Sequence, residues 1–587
     1  MEVALQYFKQ TEKVLDANEF ADTEEYDLFM QNVFAEVEGL EYRLACSHDG
    51  SGILEKILKC ASGFQLRVFF EKVRGRFFDM CCHRYASHVV ETWVRQAAAK
   101  EELADKVKTE AEEEERNDDH LPSTIDQLYD VSQLIIEFFI QLAENDYGSH
   151  VVRLFIKLWA NKLDGYSINL CEGNDYLTLL IDHLLSLPKE VFNMKNATVS
   201  KQFGLVLQVL LPCLSSSSLA KIQNLVFPDL LNPEESIKKG HVMSICDHQS
   251  GSRFMEVFIN TLDSASSLAF LNKVIRPFFT DLMDGQNSNF VLQCFISNCP
   301  NIAQFEMILP LVKEHASDIL AKQRHGILLR LSSWVRAHEQ FISCAEVVIG
   351  IVYGAFGAQN PKLWKNLFKA LYSLKNISQV EKEQHTIQAA GCQLLQDLIY
   401  FPAHCTKPVI DSFLDMSVGE LVSFSCHANG SRAVEAIFMS HSVSASVKQR
   451  TIRKLRDHVD ILALNQFGSH VVDRCFQAAS IELRQKIGEK LVTHKTKLED
   501  SQYGRLVLRN CQISNFERNQ DYWKSAQDSS KRKRSMFADI LDDNFVGTAL
   551  VEVPKVPADH DNTSEHKGAT MKSSSKPKFK KSKNKKE

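Results

Sequence analysis

The stretch NDYGSHVVRLF, Asn145–Phe155, returns far along the chain as NQFGSHVVDRC, Asn465–Cys475. In both, a glycine (Gly148, Gly468) has an asparagine three positions before it and a Ser-His pair and two valines after it. Six further segments keep this order: HDGSGILEKIL at Gly50, HRYASHVVETW at Ala86, HQSGSRFMEVF at Gly251, GQNSNFVLQCF at Ser288, HANGSRAVEAI at Gly430 and SQYGRLVLRNC at Gly504. Two looser ones, KQFGLVLQVLL at Gly204 and KQRHGILLRLS at Gly326, belong to the series. The gap between Gly326 and Gly430 leaves room for one more, placed near Asn366. About eleven repeats result, a period that marks a stacked array rather than a single core.

With the small residue as position zero, each copy reads as a helix. Three positions earlier stand Ser47, His83, Asn145, His248, His427, Asn465 and Ser501, polar groups suited to capping a helix start. Positions +3, +4, +7 and +8 are mostly apolar, as in Val89, Val90, Trp93 and Val94, or Val151, Val152, Phe155 and Ile156, which is one helical face. Positions +1, +2 and +5 fall on the other side. There stand Ser87, His88 and Glu91; Ser149, His150 and Arg153; Ser252, Arg253 and Glu256; Asn289, Phe290 and Gln293; Ser431, Arg432 and Glu435; Ser469, His470 and Asp473. The last copy has Arg505 and Arg509 at +1 and +5, and the looser copies put Leu205, Val206, Ile327 and Leu328 where the others are polar. Amphipathic stretches such as Leu134–Ala143 and Arg450–Leu462 separate the copies, so each repeat holds at least two helices. Such units cannot bury their faces alone; they stack into an all-α superhelical solenoid whose like-numbered residues line one surface.

This pattern resembles the pumilio (PUF) repeats, and the resemblance spans roughly Glu41 to Cys511. In that family a three-helix unit presents two base-edge contacts four residues apart and a stacking residue between them, which implies an RNA-binding solenoid of pumilio-type repeats with insertions. A side chain on each turn can hydrogen-bond a base edge while a ring or guanidinium stacks between bases. Ser252 with Glu256 and Ser431 with Glu435 resemble the guanine-reading pair, with Arg253 and Arg432 as stackers. Asn289 with Gln293, stacked by Phe290, resembles the uracil-reading pair. Ser149 with Arg153 and Ser469 with Asp473 match no usual edge-reading pair, and these repeats, with the looser copies at Gly204 and Gly326, are expected to make phosphate, shape or protein contacts or to serve structure alone. The repeat number, the insertions and a basic tail are similar to the divergent nucleolar members of the family. That likeness implies single-stranded precursor ribosomal RNA as partner, small-subunit ribosome biogenesis as context, contacts with pre-ribosomal assembly proteins, and the nucleus and nucleolus as location.

Charge divides along the chain. The formal net charge is −6, but from Lys524 onward 15 Lys and Arg stand against 9 Asp and Glu, leaving the rest at about −12. The run Glu110–Asp119, containing EEEER, reads as a solvated insertion loop near 100–125. The organisation expected is an N-terminal helical region at 1–40, repeats at 41–523, and a basic, disordered tail at 524–587, where Lys and Ser leave too little apolar surface to fold. Within the tail, Lys531, Arg532, Lys533 and Arg534 read as a nuclear-import signal. Met1–Gln10 lacks a signal-peptide pattern, and the longest apolar stretches, such as Val347–Ala358, fall short of a bilayer. The expectation is an intracellular protein, monomeric and without a membrane segment.

Fifteen cysteines are scattered rather than framed, so they read as reduced thiols, and neither a metal nor a cofactor is implied. No GxxxxGKS, HExxH or GxSxG motif is found, which argues against an enzyme. The alternative is a protein-binding scaffold of the HEAT or armadillo kind, which suits the acidic body. The His, Arg and Phe at +2 favour bases instead.

Overall fold

The computed structural model describes residues 2–106, 121–163, 175–228, 230–232, 234, 236–338, 340, 342–380 and 386–527. The acidic run Glu110–Asp119, the Lys531–Arg534 cluster and nearly all of the basic tail lie outside these residues. Every regular element among the described residues is helical. Met1–Arg518 form one compact unit; a second begins at Asn519, with residues 520–527 helical.

Eleven helices, one per repeat, run through the first unit, and each packs on the next. They are α1 (His48–Cys60), α2 (Ala86–Lys106), α3 (Gly148–Trp159), α4 (Lys201–Leu210), α5 (Gln249–Asn260), α6 (Ser288–Ser297), α7 (Gly326–Ala337), α8 (Ala389–Ile399), α9 (Gly430–Met439), α10 (Gly468–Ala478) and α11 (Gln502–Asn510). A short helix precedes each, such as Phe139–Glu144 before α3 or Val459–Leu464 before α10, and a longer one, such as Thr124–Glu137 or Ala445–Leu455, precedes that. The chain is thus a superhelical solenoid of pumilio-type, three-helix repeats. At its start, helices Glu2–Ala17 and Thr23–Val37 join the array: Lys56 Nζ lies 2.7 Å from Glu12 Oε1, and the Tyr26 hydroxyl donates to Cys60 O at 2.9 Å.

The eleventh repeat is not where the sequence reading put it. Near Asn366 runs the short helix Leu367–Ser373, and the repeat's long helix, α8, starts only at Ala389. Its zero position is Gly391.

Position zero is small because two backbones meet there. A Cβ added to Gly148, Gly251, Gly430, Gly468 or Gly504 would lie 2.9, 2.2, 2.3, 2.7 or 2.3 Å from the carbonyl oxygen six residues back, on the short helix. A Cβ on Gly391 would lie 2.4 Å from Leu371 O, so the same approach survives although the chain between is longer. At Ser288 the hydroxyl donates to the corresponding carbonyl, Leu282 O, at 3.0 Å.

The caps expected three residues earlier are formed. Asn145 Oδ1 accepts from Gly148 N and Asn465 Oδ1 from Gly468 N, both at 2.9 Å, while Ser47 and Ser501 cap Gly50 and Gly504. In α6, where Gly285 holds that place, Asp247 Oδ1 of the preceding repeat accepts from Asn287 N and Ser288 N instead. The apolar columns form the core: Val89, Val151, Val152 and Phe155 are fully buried, and large rings stack between the helices of a repeat, as with Phe305 and Trp334 at 3.9 Å. Each such side chain contributes roughly 1.5–3 kcal/mol through burial.

Candidate nucleic-acid interface

Burial follows one rhythm along the row. In α2, α3, α5, α6, α9 and α10 the +1 residue is buried, +2 is exposed, +3 and +4 are buried, and +5 is half-buried. The +1 side chain is therefore less open than the sequence pattern implies, because the next helix packs over the first turn. Its hydroxyl donates to the carbonyl three residues back: Ser149 to Asp146 O at 3.3 Å, Ser252 to Gln249 O at 3.2 Å, Ser431 to Ala428 O at 3.3 Å and Ser469 to Gln466 O at 3.0 Å. Each oxygen keeps lone pairs for a donor arriving from solvent.

The exposed +2 column holds His88, His150, Arg253, Phe290, Arg432 and His470. Phe290 is 51 % exposed, a large ring on a helix whose Val291, Leu292, Phe295 and Ile296 are in the core. Burial, with Arg153 nearby, holds His150 below the ordinary imidazole value, so its ring is neutral near pH 7.

The +5 column differs from helix to helix. On α6 Gln293 Nε2 donates to Asn289 Oδ1 at 2.9 Å, and Asn289 Nδ2 donates to Gln286 O at 2.7 Å, so the two amides form an oriented pair. On α3 Arg153 Nε donates to Ser149 O at 3.1 Å, which leaves the end of the fork to solvent. On α5 burial pushes the Glu256 carboxyl above the usual glutamate value, with Arg253 and Arg330 pulling the other way. On α9 Glu435 Oε2 lies 3.5 Å from Arg474 Nε of α10. On α10 Asp473 Oδ2 accepts from Asn510 of α11 at 2.8 Å. Glu91 on α2 is half-buried and Ser87 buried. At the end of the row Arg505 and Arg509 are exposed, Arg505 Nη1 reaching Glu499 O at 3.2 Å.

Four helices present residues that the sequence pattern misassigned or overlooked. On α1, Ser51 is buried, its hydroxyl donating to His48 O at 3.2 Å, and Glu55 is half-buried, so this pair repeats the Ser and Glu of α2, α5 and α9. On α8, Cys392 is buried while Gln393 and Gln396 are half-buried, the same rhythm without the Ser-His signature. On α4 the register is one residue off. Ser200 caps Phe203, so Phe203 takes position zero, Val206 is core, and Leu205 and Gln208 face outward. Ile327 and Leu328 of α7 are likewise fully buried; Leu329, Arg330 and Gly326 have the accessible side. The apolar residues thought to interrupt the polar column therefore include three core residues.

Away from this row, Glu346, His404 and Cys405 offer ligand atoms within 4.8 Å of one another, a grouping no sequence spacing announces; His404 Nε2 lies 2.7 Å from Glu346 Oε1 as an exposed ion pair. No disulfide links the described cysteines, and burial pushes thiols such as Cys246 up to about 12. Among the described residues no helix is long and apolar enough to cross a membrane.

A family model described as the NOP9-like PUF repeat domain matches residues 39–167 and 175–506. Pumilio homolog 23 of Arabidopsis thaliana is 24 % identical over 582 residues, an alignment covering 92 % of this chain and 74 % of that protein. Nucleolar protein 9 of Coccidioides posadasii (strain C735) is 24 % identical over 584 residues, covering 89 % and 78 %. The solved structure of APUM23-GGAAUUGACGG shares the fold at a TM-score of 0.72, with 23 % identity over 90 % of this chain and 99 % of that one.

Proposed function

The chain belongs to the NOP9-like PUF repeat family, and from that membership we propose that it binds single-stranded RNA selectively, holding precursor ribosomal RNA during small-subunit ribosome biogenesis in the nucleolus. The observation that carries this reading is the burial rhythm shared by α2, α3, α5, α6, α9 and α10, with an exposed ring or guanidinium at +2 between a buried +1 and a half-buried +5. A planar group of that kind suits the faces of two bases, and the flanking polar atoms suit one base edge. The ribosomal and nucleolar part rests on relatives named Nucleolar protein 9, and the basic run Lys531–Arg534 suits a nuclear-import signal.

Base preference follows from donors and acceptors. An ionised carboxylate at +5 accepts from the N1–H and exocyclic amine of guanine, so α1, α2, α5 and α9 are guanine readers. The amide pair on α6 suits uracil. The Arg153 fork donates, which suits the N3 and O2 acceptors of cytosine on α3. The eleven letters of GGAAUUGACGG serve as a trial ligand for eleven helices. Laid with its 5′ end at α11, it puts G at α1, α2 and α5, U at α6 and C at α3; laid the other way, it puts U at α5 and A at α3. The first direction is therefore the one proposed. It leaves α9 facing A, where this chain carries a Ser and Glu pair.

The test is crosslinking and sequencing of RNA bound to the full chain in cells, beside a variant with Arg253, Phe290 and Arg432 changed to Ala. The expected result is a discrete precursor ribosomal segment that the variant loses. Recovery of no RNA above background from the wild-type chain overturns the reading and leaves a protein-binding solenoid.

A further inference from the structure

Four helices of the row share Ser at +1 and Glu at +5, yet the residue at +6 of the next helix is different each time. After Glu55 it is Thr92 and after Glu91 it is Leu154, both buried, and the charge within reach of Glu91 is that of Arg153 at +5. Opposite Glu256 it is Cys294, whose Sγ goes to the backbone oxygen of Glu256 at 3.4 Å and not to its carboxylate. Opposite Glu435 it is Arg474, whose Nε stands 3.5 Å from Oε2 and whose Nη1 donates to Gln477 Oε1 at 3.3 Å.

We infer that Arg474 is a positioning residue for Glu435, and that α9 is thereby the strongest guanine reader of the row. The inference rests on the proposal that the +5 carboxylates read base edges. To accept two parallel N–H groups from guanine, a carboxylate must be ionised and must hold both oxygens in one plane toward the base. A free glutamate side chain has three rotatable bonds to order and pays for that in entropy. Arg474 Nη1 also donates to Gln477 Oε1 on its own helix, a contact that orients the guanidinium. By engaging Oε2 from the side, it sets the rotation of the carboxylate and leaves Oε1 and the second lone pair of Oε2 for the base. The Glu435 side chain is 20 % exposed and Arg474 38 %, so the pair stands at the edge of the site, with an approach open to a ligand.

The alternative role for Arg474 is a phosphate contact, and the two differ in what they discriminate. A phosphate contact strengthens binding of every sequence alike, whereas a brace acts on one nucleotide. The consequence for this chain is guanine at the nucleotide facing α9, where GGAAUUGACGG carries adenine in the proposed direction.

The experiment is selection from a library of eleven randomised nucleotides with the full chain, compared with Glu435→Gln, Arg474→Ala and Arg474→Lys. Glu435→Gln identifies the α9 position as the one whose guanine enrichment disappears. Arg474→Ala is expected to lower guanine enrichment there by roughly fivefold to tenfold, the size of one ordinary hydrogen bond, and to leave the other positions as they are. Arg474→Lys, which keeps the charge, is expected to restore at least half of it. If Glu435→Gln removes the guanine and Arg474→Ala does not lower it, the brace is overturned while the base-reading proposal stands. If Arg474→Ala weakens all sequences equally, Arg474 is a phosphate contact and the brace is again overturned. If Glu435→Gln changes no position, the reading of α9 fails and the brace fails with it.

Discussion

Asn510 of α11 donates its side-chain amide to Asp473 Oδ2 of α10 at 2.8 Å, while Asp473 Oδ1 is buried with no hydrogen-bond partner among the described residues. Burial, only partly offset by that bond, raises the Asp473 carboxyl above its usual value. A carboxyl with a raised folded-state pKa costs stability above that value and the cost is relieved as pH falls through it. Asn510→Ala is therefore expected to lower stability by about 1–2 kcal/mol at neutral pH. In an Asp473→Asn background the same change should cost clearly less. Urea unfolding of the four proteins of this cycle checks it, and equal costs in both backgrounds would show that the two side chains are not coupled.

Position zero predicts opposite outcomes for one substitution at two glycines. Gly430→Ala puts a methyl 2.3 Å from Phe424 O, a backbone atom that cannot swing away, and is expected to cost about 1–3 kcal/mol. Gly350→Ala, within helix Cys344–Ala355 and with nothing within 4 Å of the new Cβ, is expected to gain about 0.5–1 kcal/mol. Thermal unfolding of the two variants decides whether close approach or helix propensity rules each site.

Phe290→Ala removes a ring that the fold does not use. Binding of an RNA carrying the uracil-facing site should weaken by about 1–3 kcal/mol, with the melting temperature unchanged. A drop in melting temperature equal to that of a core substitution would place the ring in the packing after all.

Acid should weaken the contact at α5. Because burial raises the Glu256 carboxyl against the pull of Arg253 and Arg330, it takes up its proton earlier than an ordinary glutamate as pH falls. A protonated carboxyl presents a donor where guanine also presents donors. Guanine preference at the α5 nucleotide is thus expected to fall over a pH interval that lies above that of an ordinary glutamate, and Glu256→Gln should show no such dependence. Binding assays with G or A at that nucleotide across the interval test it; a wild-type preference as flat with pH as that of the variant would remove Glu256 from the contact.

Most of this was legible where local rules repeat. The −3 cap, the small zero residue and the apolar columns are short-range requirements of one helix start, so Gly148 and Gly468 announce themselves. Gly391 did not, because its partner carbonyl, Leu371 O, lies on the far side of a longer connection and its neighbours are Cys392 and Gln393, without the Ser-His pair. The register at α4 was misread for a related reason: a glycine stands beside the zero position, and only the Ser200 cap on Phe203 shows which of the two starts the helix. Contacts such as Glu435 with Arg474 join residues on different repeats, and no spacing within one repeat encodes them.

The approach of Gly391 to Leu371 separates two lengths that a sequence period confuses. The seat of each long helix on the short helix before it is set by backbone contact at the helix start, whereas the amount of chain spent between the two is free. A ligand strand counts rungs. Additions in the connecting segments therefore leave the frame in which nucleotides are read intact, while a one-residue slip at a helix start, as at Phe203, changes what is offered to a single nucleotide and nothing beyond it. Divergence in such a protein can rewrite its text letter by letter without ever moving the margins.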